Sequence, residues 1–290
     1  MANKIALGEK YVPMLDEVYK NASLTAKLDG PAELVQQGAN SNELIIPMIE
    51  MQGLGDYDRN SGYVAGDVTM TNETVKCNFE RGRMFNVDVL DNEETAGLAF
   101  GRLAGEFIRT KVVPELDAFR FASYCGKEGI TKKEETLSDG AAVLAALRVA
   151  NTTMDEAEVP QTDRHLFITP TAYGMIQDLD TTKSREVLEN FSTITKVPQT
   201  RFYTAIDLKS GKDGEEAGGY AKSAGAADLN FMVIHKEALI QFQKHVAPKI
   251  IPPDVNQKSD GYGYGYRNTG IADVYKNKLV GVYASHKPVG

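Results

Sequence analysis

Apolar positions between residues 91 and 126 recur with the period of an α-helix. Ala96, Phe100, Leu103 and Phe107 form one face, and Val112, Leu116 and Phe119 continue it after a phase shift near Pro114. The segment opens on Asp91-Asn92-Glu93-Glu94, a capping box whose acidic first turn suits the positive end of the helix dipole. Pro114 lacks a backbone donor, so the pattern predicts either a bend or two abutting helices there, with Gly126 as the stop. Unbroken, such a rod would be roughly 50 Å long at ~1.5 Å per residue. Gly97, Gly101 and Gly105 lie at i, i+4 and i+8 on it. A glycine inside a helix costs about 1 kcal/mol relative to alanine, so three in register predict a backbone or large side chain pressed against them. The alternative is chance placement in a chain with 26 glycines. Arg102, Glu106 and Arg109 exclude a membrane dimer motif.

Ahead of the rod the period changes to two. Residues 43–51 (ELIIPMIEM) read as a strand that Pro47 confines to an edge. A polar, turn-rich stretch at 53–62 follows. A long hairpin is then predicted, with arms Tyr63–Thr71 and Thr74–Leu90 and a turn at Asn72-Glu73. Val75, Cys77, Phe79, Phe85, Val87 and Val89 share one face of the second arm, interrupted by Arg81 and Arg83. So polar a two-stranded ribbon would project from the core, and it is marginal alone. Residues 1–42 read as an arm: Leu15, Val18 and Tyr19 offer one short apolar face, too small to hold itself in place. The arm must dock on the rest of this chain or on another chain.

Beyond the rod, 131–136 reads as a charged loop, and Ser138 or Asp139 caps a helix carrying Val143, Leu147, Ala150 and Met154. Residues 164–168 form a strand, Thr169-Pro170 start another helix, 184–191 give further helical turns, and 201–208 is strand-like. Residues 210–227 are rich in Gly, Ala, Lys and Glu and read as an exposed, mobile loop. Leu229–His235 is a strongly apolar strand, and 238–251 continues apolar to Pro252-Pro253. Strands at 269–275 and 279–286 close the chain around a turn at 276–278. Strands interleaved with helices predict an α+β body.

The chain has 290 residues, 42% of them hydrophobic and 25% charged, which fits one large or two ordinary globular domains. No apolar run approaches the ~18 residues of a membrane span, and Met1-Ala2-Asn3-Lys4 leads into no signal-peptide core. Cys77 and Cys125 lack metal-type spacing and read as buried free thiols. A net charge of −8 argues against a dedicated nucleic-acid reader, and Lys127, Lys132 and Lys133 are diluted by Glu128, Glu134 and Glu135. His235 and His245 are ten apart and read as structural histidines. Gly261-Tyr262-Gly263-Tyr264-Gly265-Tyr266 lacks the third glycine of a dinucleotide loop and reads as a surface turn. No Walker run or nucleophile elbow is present, and no cofactor is expected.

The order of arm, projecting ribbon, long helix and α+β body resembles the major capsid protein of tailed bacteriophages. That fold is shared with encapsulin shells and the herpesvirus capsid floor. The resemblance covers nearly the whole chain and rests on residues 53–60 (GLGDYDRN), 80–88 (ERGRMFNVD), 93–97 (EETAG), 198–203 (PQTRFY) and 230–257, which look like siphophage and prophage coat proteins of Gram-positive bacteria. It implies an N-terminal arm (1–42), a first strand with an extended loop (43–90), a spine helix with a peripheral-domain helix (91–160), and an axial domain (161–290). The axial domain would carry the loop 209–228 and C-terminal strands that return to the peripheral domain. It further implies self-assembly into pentamers and hexamers of an icosahedral shell around double-stranded DNA. A separate scaffolding protein and a portal protein would be partners, and assembly would take place in the host cytoplasm.

Rings form when one patch on a subunit meets a different patch on the next. On that basis Arg81 and Arg83 are expected to pair with Asp56 or Asp58, beside Arg59, of a neighbouring copy; pairs within the ribbon are the alternative. An encapsulin-type compartment shares the fold. A soluble cytoplasmic enzyme is the reading from a different class.

Overall fold

The computed structural model describes residues 23–30, 36–37, 43–60, 62–88, 98–179, 182–257 and 260–289. The capping box at 91–94, Gly97, and the arm residues carrying Leu15, Val18 and Tyr19 lie outside them. Among the described residues no helix is long and apolar enough to cross a membrane.

A five-stranded sheet forms the centre. Its order is β5 (Thr131–Glu134), β13 (Val282–His286), β10 (Leu229–His235), β6 (Arg164–Ile168) and β7 (Thr193–Lys196). The outer pairs β13–β5 and β6–β7 are parallel, whereas β10 runs antiparallel to both its neighbours. β6 and β10 are buried at every position, because helices cover both faces. Phe167, Met232, Ile234, Val282 and Ala284 pack on Phe121, Tyr124 and Cys125 of the rod. From the other face Leu166, Ile168, Phe231, Val233 and Tyr283 meet the helix α3 (Gly140–Glu156) through Val143, Leu147, Ala150 and Met154. The predicted faces of α3 and of strands β6 and β10 are therefore the ones that meet. Caps form as the sequence indicates: Asp139 Oδ1 accepts from the Ala142 N–H at 2.8 Å, and Thr169 Oγ1 accepts from the Ala172 N–H ahead of α4 (Pro170–Gln177). A further helix, α5, spans Thr182–Glu189.

The rod runs as α1 (Leu98–Phe107), a π turn (Ile108–Val112) and α2 (Val113–Gly126). Of the expected bend or pair of abutting helices, the rod shows two α-helices that meet end to end through the π turn. Pro114 sits in the first turn of α2, and Val112 and Val113 keep helical dihedrals (φ −68 and −64). The wider turn accommodates the missing donor while the helix continues. It also inserts the extra residue that produces the phase shift in the apolar pattern.

Three strands form a second sheet in the order β11 (Leu239–Ile251), β12 (Gly261–Val274) and β4 (Phe79–Asp88). The predicted pairing of the extended loop is corrected here. β3 (Val68–Lys76) pairs antiparallel with β2 (Glu43–Met51), whereas β4 pairs with β12. Asn72 and Glu73 thus lie inside a strand, and the hairpin tip is residues 52–67. Phe79, Phe85 and the buried Tyr266 pack against the rod. The short β1 (Gln36–Gln37) adds to β2. A two-stranded ribbon, β8 (Ile206–Leu208) with β9 (Tyr220–Lys222), completes the chain.

The Gly-Tyr repeat is not a surface turn. It forms the start of β12, a central strand, with Tyr264 and Tyr266 buried on the rod side. A Cβ at Gly261 would sit 2.3 Å from the Val87 carbonyl oxygen, so only glycine lets the strands close there. Residues 131–134 likewise form a strand rather than a loop, added parallel to β13. Residues 23–30 are also not free arm. Leu28 is buried in the main core, and Gly30 N–H donates to the Gln241 carbonyl at 3.0 Å.

Candidate functional site

Two surfaces stand out as unfinished in the single chain, and one buried cluster ties residues 23–30 to the rod. The first surface is the tip of the β2–β3 hairpin. Of the thirteen large apolar side chains found exposed among the described residues, seven lie between positions 51 and 70: Met51, Leu54, Tyr57, Tyr63, Val64, Val68 and Met70. Isolated exposed apolar residues are ordinary; a concentration on one element marks a contact surface. The tip is nonetheless ordered. Asp58 and Gly62 exchange backbone hydrogen bonds (3.3 and 2.8 Å), Asp58 Oδ1 accepts from the Asn60 N–H at 2.6 Å, and the rings of Tyr57 and Tyr63 lie 4.8 Å apart. Asp56, Asp58 and Arg59 are all exposed on it. The hairpin is rooted at Val75, which is buried against Ile240 and Ile271 of the second sheet.

The second surface is a cleft of about 860 Å³ between β4, the π turn of the rod and residues 210–220. Its floor is aromatic. Phe85 meets Phe107 edge-on at 4.8 Å, Phe107 meets Tyr266 at 6.1 Å, and Phe79 meets Phe119 at 4.9 Å. Asn268 lines it too; this side chain is 1% exposed, and neither its Oδ1 nor its Nδ2 has a hydrogen-bond partner. A buried amide without partners is uncommon, since each unpaired polar atom carries its desolvation cost.

Arg81 and Arg83 stand at this cleft and act within the chain. Arg81 Nε meets Glu115 Oε1 at 2.6 Å, and its Nη2 donates to the carbonyls of Lys209 (2.7 Å) and Gly219 (3.3 Å). Arg83 Nη2 donates to the Glu216 carbonyl at 2.8 Å. Within the chain Asp56 and Asp58 lie at the far end of the hairpin, and the partner of Arg81 is Glu115, the intrachain alternative to a pair with a neighbouring copy. Glu115 stands in the first turn of α2, beside the strand that carries Arg81. The loop that the composition marks as mobile is thereby pinned to β4. Glu215 adds an internal tie. It accepts from the Ser210 N–H at 2.7 Å and the Ser210 hydroxyl at 2.9 Å, and these bonds hold its carboxyl below the usual range. Gly218, at φ +63, lets the backbone pass Arg83, whose Nη1 would lie 3.0 Å from a Cβ there.

The buried cluster ties residues 23–30 to the rod. Asp117, fully buried on α2, accepts from the Ser23 hydroxyl (2.9 Å), the Leu24 N–H (3.1 Å) and the Thr25 hydroxyl (2.6 Å). Arg120 donates to Thr25 Oγ1 at 2.8 Å and pairs with Asp29 Oδ1 at 3.0 Å. Gln241 donates to Asp29 Oδ1 at 2.7 Å and accepts from the Tyr124 hydroxyl. Sequence reasoning missed this set, because Asp117 and Arg120 sit among apolar positions and only their partners 90 residues away explain them.

The glycine stripe is resolved at one position. Gly105 has nothing within 4 Å of where a Cβ would stand, so among the described residues no group presses on it. Among the described residues no cluster of His, Cys, Asp or Glu is arranged to hold a metal. His235 is buried in β10, and Cys125 is buried beneath the rod. Burial pushes the Cys125 thiol up to about 11.

No family model and no curated protein matches the sequence. The structure, in contrast, superposes on virus shells. It matches a structure of Gordonia phage Cozz with a TM-score of 0.60 at 11% identity, covering 92% of this chain and 87% of that one. It matches the virus-like particle from Pyrococcus furiosus with a TM-score of 0.58 at 12% identity (93% and 95%), and Mycobacterium phage Che8 with 0.57 at 13% (91% and 90%). The likeness covers about nine tenths of the chain rather than one motif, and the chain therefore has the phage major capsid protein fold.

Proposed function

We propose that this protein is the major capsid protein of a tailed phage or prophage, a structural subunit that assembles into pentamers and hexamers of an icosahedral shell around double-stranded DNA. The observation that carries the reading is the hairpin 43–76 on a capsid fold: its tip and the adjoining strand ends expose seven large apolar side chains that no described residue of this chain covers. Laid on a neighbouring copy, a surface of this kind makes a heterologous contact that closes into rings. Arm, hairpin and body would hold each subunit at several places, so individually modest contacts add up. In this reading 43–90 serves as the extended loop, 91–160 as spine and peripheral helix, and 161–290 as the axial domain. Scaffolding and portal proteins would be its partners, the virion its location, and structure rather than catalysis its role.

The net charge of −8 suits a lining that does not grip its DNA, so free subunits should show no salt-sensitive DNA affinity. The likeness to the Pyrococcus furiosus particle supports a second reading, a protein-filled compartment with the same wall. Negative-stain imaging of purified protein, with its nuclease-protected nucleic acid measured, tests both. Closed shells holding DNA when made beside packaging proteins support the capsid. Shells holding protein and never DNA support the compartment, and a monomer at all concentrations sinks both.

A further inference from the structure

The hairpin tip and the cleft match each other, though neither meets the other within one chain. On the tip, Tyr57 and Tyr63 form a paired aromatic knob, 60% and 89% exposed, so a chain does not fill its own cleft. In the cleft, Phe85, Phe107 and Tyr266 present ring edges and faces, and Asn268, buried in its wall, has an acceptor and a donor without partners among the described residues. A tyrosine hydroxyl both donates and accepts, which is what that amide lacks. The charges agree as well. Residues 52–67 carry Asp56, Asp58 and Asp67 against Arg59 alone, a net of −2. At the rim, Arg81 pairs with Glu115 and Glu106 pairs with Arg109 at 2.8 Å, which leaves Arg83 and Lys111 as the uncompensated cations. The cleft volume falls within the ~300–1,000 Å³ typical of sites that enclose a compact group.

We infer that the Tyr57–Tyr63 knob of one copy seats in the cleft between β4, the π turn and loop 210–220 of a second copy. A tyrosine hydroxyl then pairs with Asn268, and Asp56 or Asp58 faces Lys111 and Arg83. The contact is heterologous, since knob and cleft are different patches, and it repeats head to tail. It rests on the assembly reading and gives that reading a specific address.

The test is photo-crosslinking in assembled particles. Tyr63→p-benzoylphenylalanine keeps an aromatic knob and reacts with carbon–hydrogen bonds within reach on illumination. Particles are assembled from an equal mixture of isotopically light and heavy full-length chains, so that links between copies are told from links within one. The inference predicts mixed light–heavy peptides joining position 63 to residues 79–85, 103–112 or 264–268. It is overturned if particles form and position 63 links elsewhere, or only within its own chain. If the substituted chain does not assemble, Lys111→Glu takes its place. Lys111 is exposed, and loss or marked slowing of assembly with an unchanged circular dichroism spectrum is expected, restored by combining it with Asp58→Lys. Unimpaired Lys111→Glu assembly, or impaired assembly without rescue, overturns the pairing. Failure of the unmodified chain to form particles at all would instead sink the assembly reading itself.

Discussion

The carboxylate of Asp117 receives the hydroxyl of Thr25 at 2.6 Å, joining the middle of the rod to a segment 92 residues earlier. The same carboxylate accepts from Ser23 and the Leu24 N–H, and Arg201 Nη1 stands 3.5 Å away. The Asp117 carboxylate and Thr25 are fully buried, so the loss of this acceptor would leave the enclosed Thr25 hydroxyl without it. Asp117→Ala should cost about 3–5 kcal/mol, the loss seen when one member of a buried charged set is removed. Urea unfolding of the purified subunit measures it. A loss below ~1 kcal/mol would mean that residues 23–30 are not held as described.

Arg81 links β4 to Glu115 and to both ends of loop 209–219. A hydrogen bond from a charged group contributes about 1.5 kcal/mol or more, roughly a tenfold change in the open fraction. Arg81→Ala should therefore raise the rate of protease cutting within 210–218 by about that factor. Arg81→Lys should restore little, because one ammonium cannot span a carboxylate and two carbonyls with a planar fork. Equal cutting rates in all three proteins would show that the loop is held by something else.

Three buried groups ionise late. Burial pushes the Cys125 thiol from 9.0 to about 11, and the Tyr264 and Tyr283 hydroxyls from 10.0 to about 12. A raised native pKa means the folded chain keeps the proton more tightly than the unfolded one. Their contribution is intact below pH 9 and is lost as the pH climbs from about 9 through about 12. The urea midpoint should hold steady on this account up to pH 9 and then fall. Cys125 should resist thiol reagents at pH 8 until the chain unfolds. A flat midpoint to pH 11 would contradict the enclosed positions of these side chains.

Two glycines should respond in opposite directions. Gly105 lies in α1 with open space at its Cβ, so Gly105→Ala should stabilise the subunit by about 0.5–1 kcal/mol. Gly261→Ala drives a methyl into the Val87 carbonyl and should destabilise by about 1–3 kcal/mol. Thermal unfolding of the two variants separates them. If Gly105→Ala stabilises the subunit yet blocks assembly, the stripe faces a neighbouring copy.

The sequence carried most of the elements and few of their partners. Helix faces, the caps at Asp139 and Thr169 and the strands 164–168 and 229–235 are local, and each was legible because period and capping are short-range signals. Pro114 and the phase shift beside it were also visible, but a π turn and a break leave the same trace in a pattern. Pairing is where the reading failed. Alternation in 74–90 could not tell that Phe79 onward belongs beside β12 while Thr74 and Val75 belong beside β2. Glycines 261 and 263 looked like part of a turn because their reason, crowding by β4 and β11, lies on other strands. Arg81 and Arg83 stood out in the sequence because they interrupt an apolar face. Their partners Glu115 and the 209–219 carbonyls depend on tertiary placement, which composition does not encode.

The most direct test of the central claim is a three-dimensional image of the assembled particle at a resolution that traces the chain. The account predicts a closed shell in which the hairpin 43–76 of each subunit lies across an adjacent copy, with Met51, Leu54, Tyr57 and Tyr63 covered there. A particle whose hairpins fold back on their own subunits, or point into solvent with those side chains bare, would contradict it.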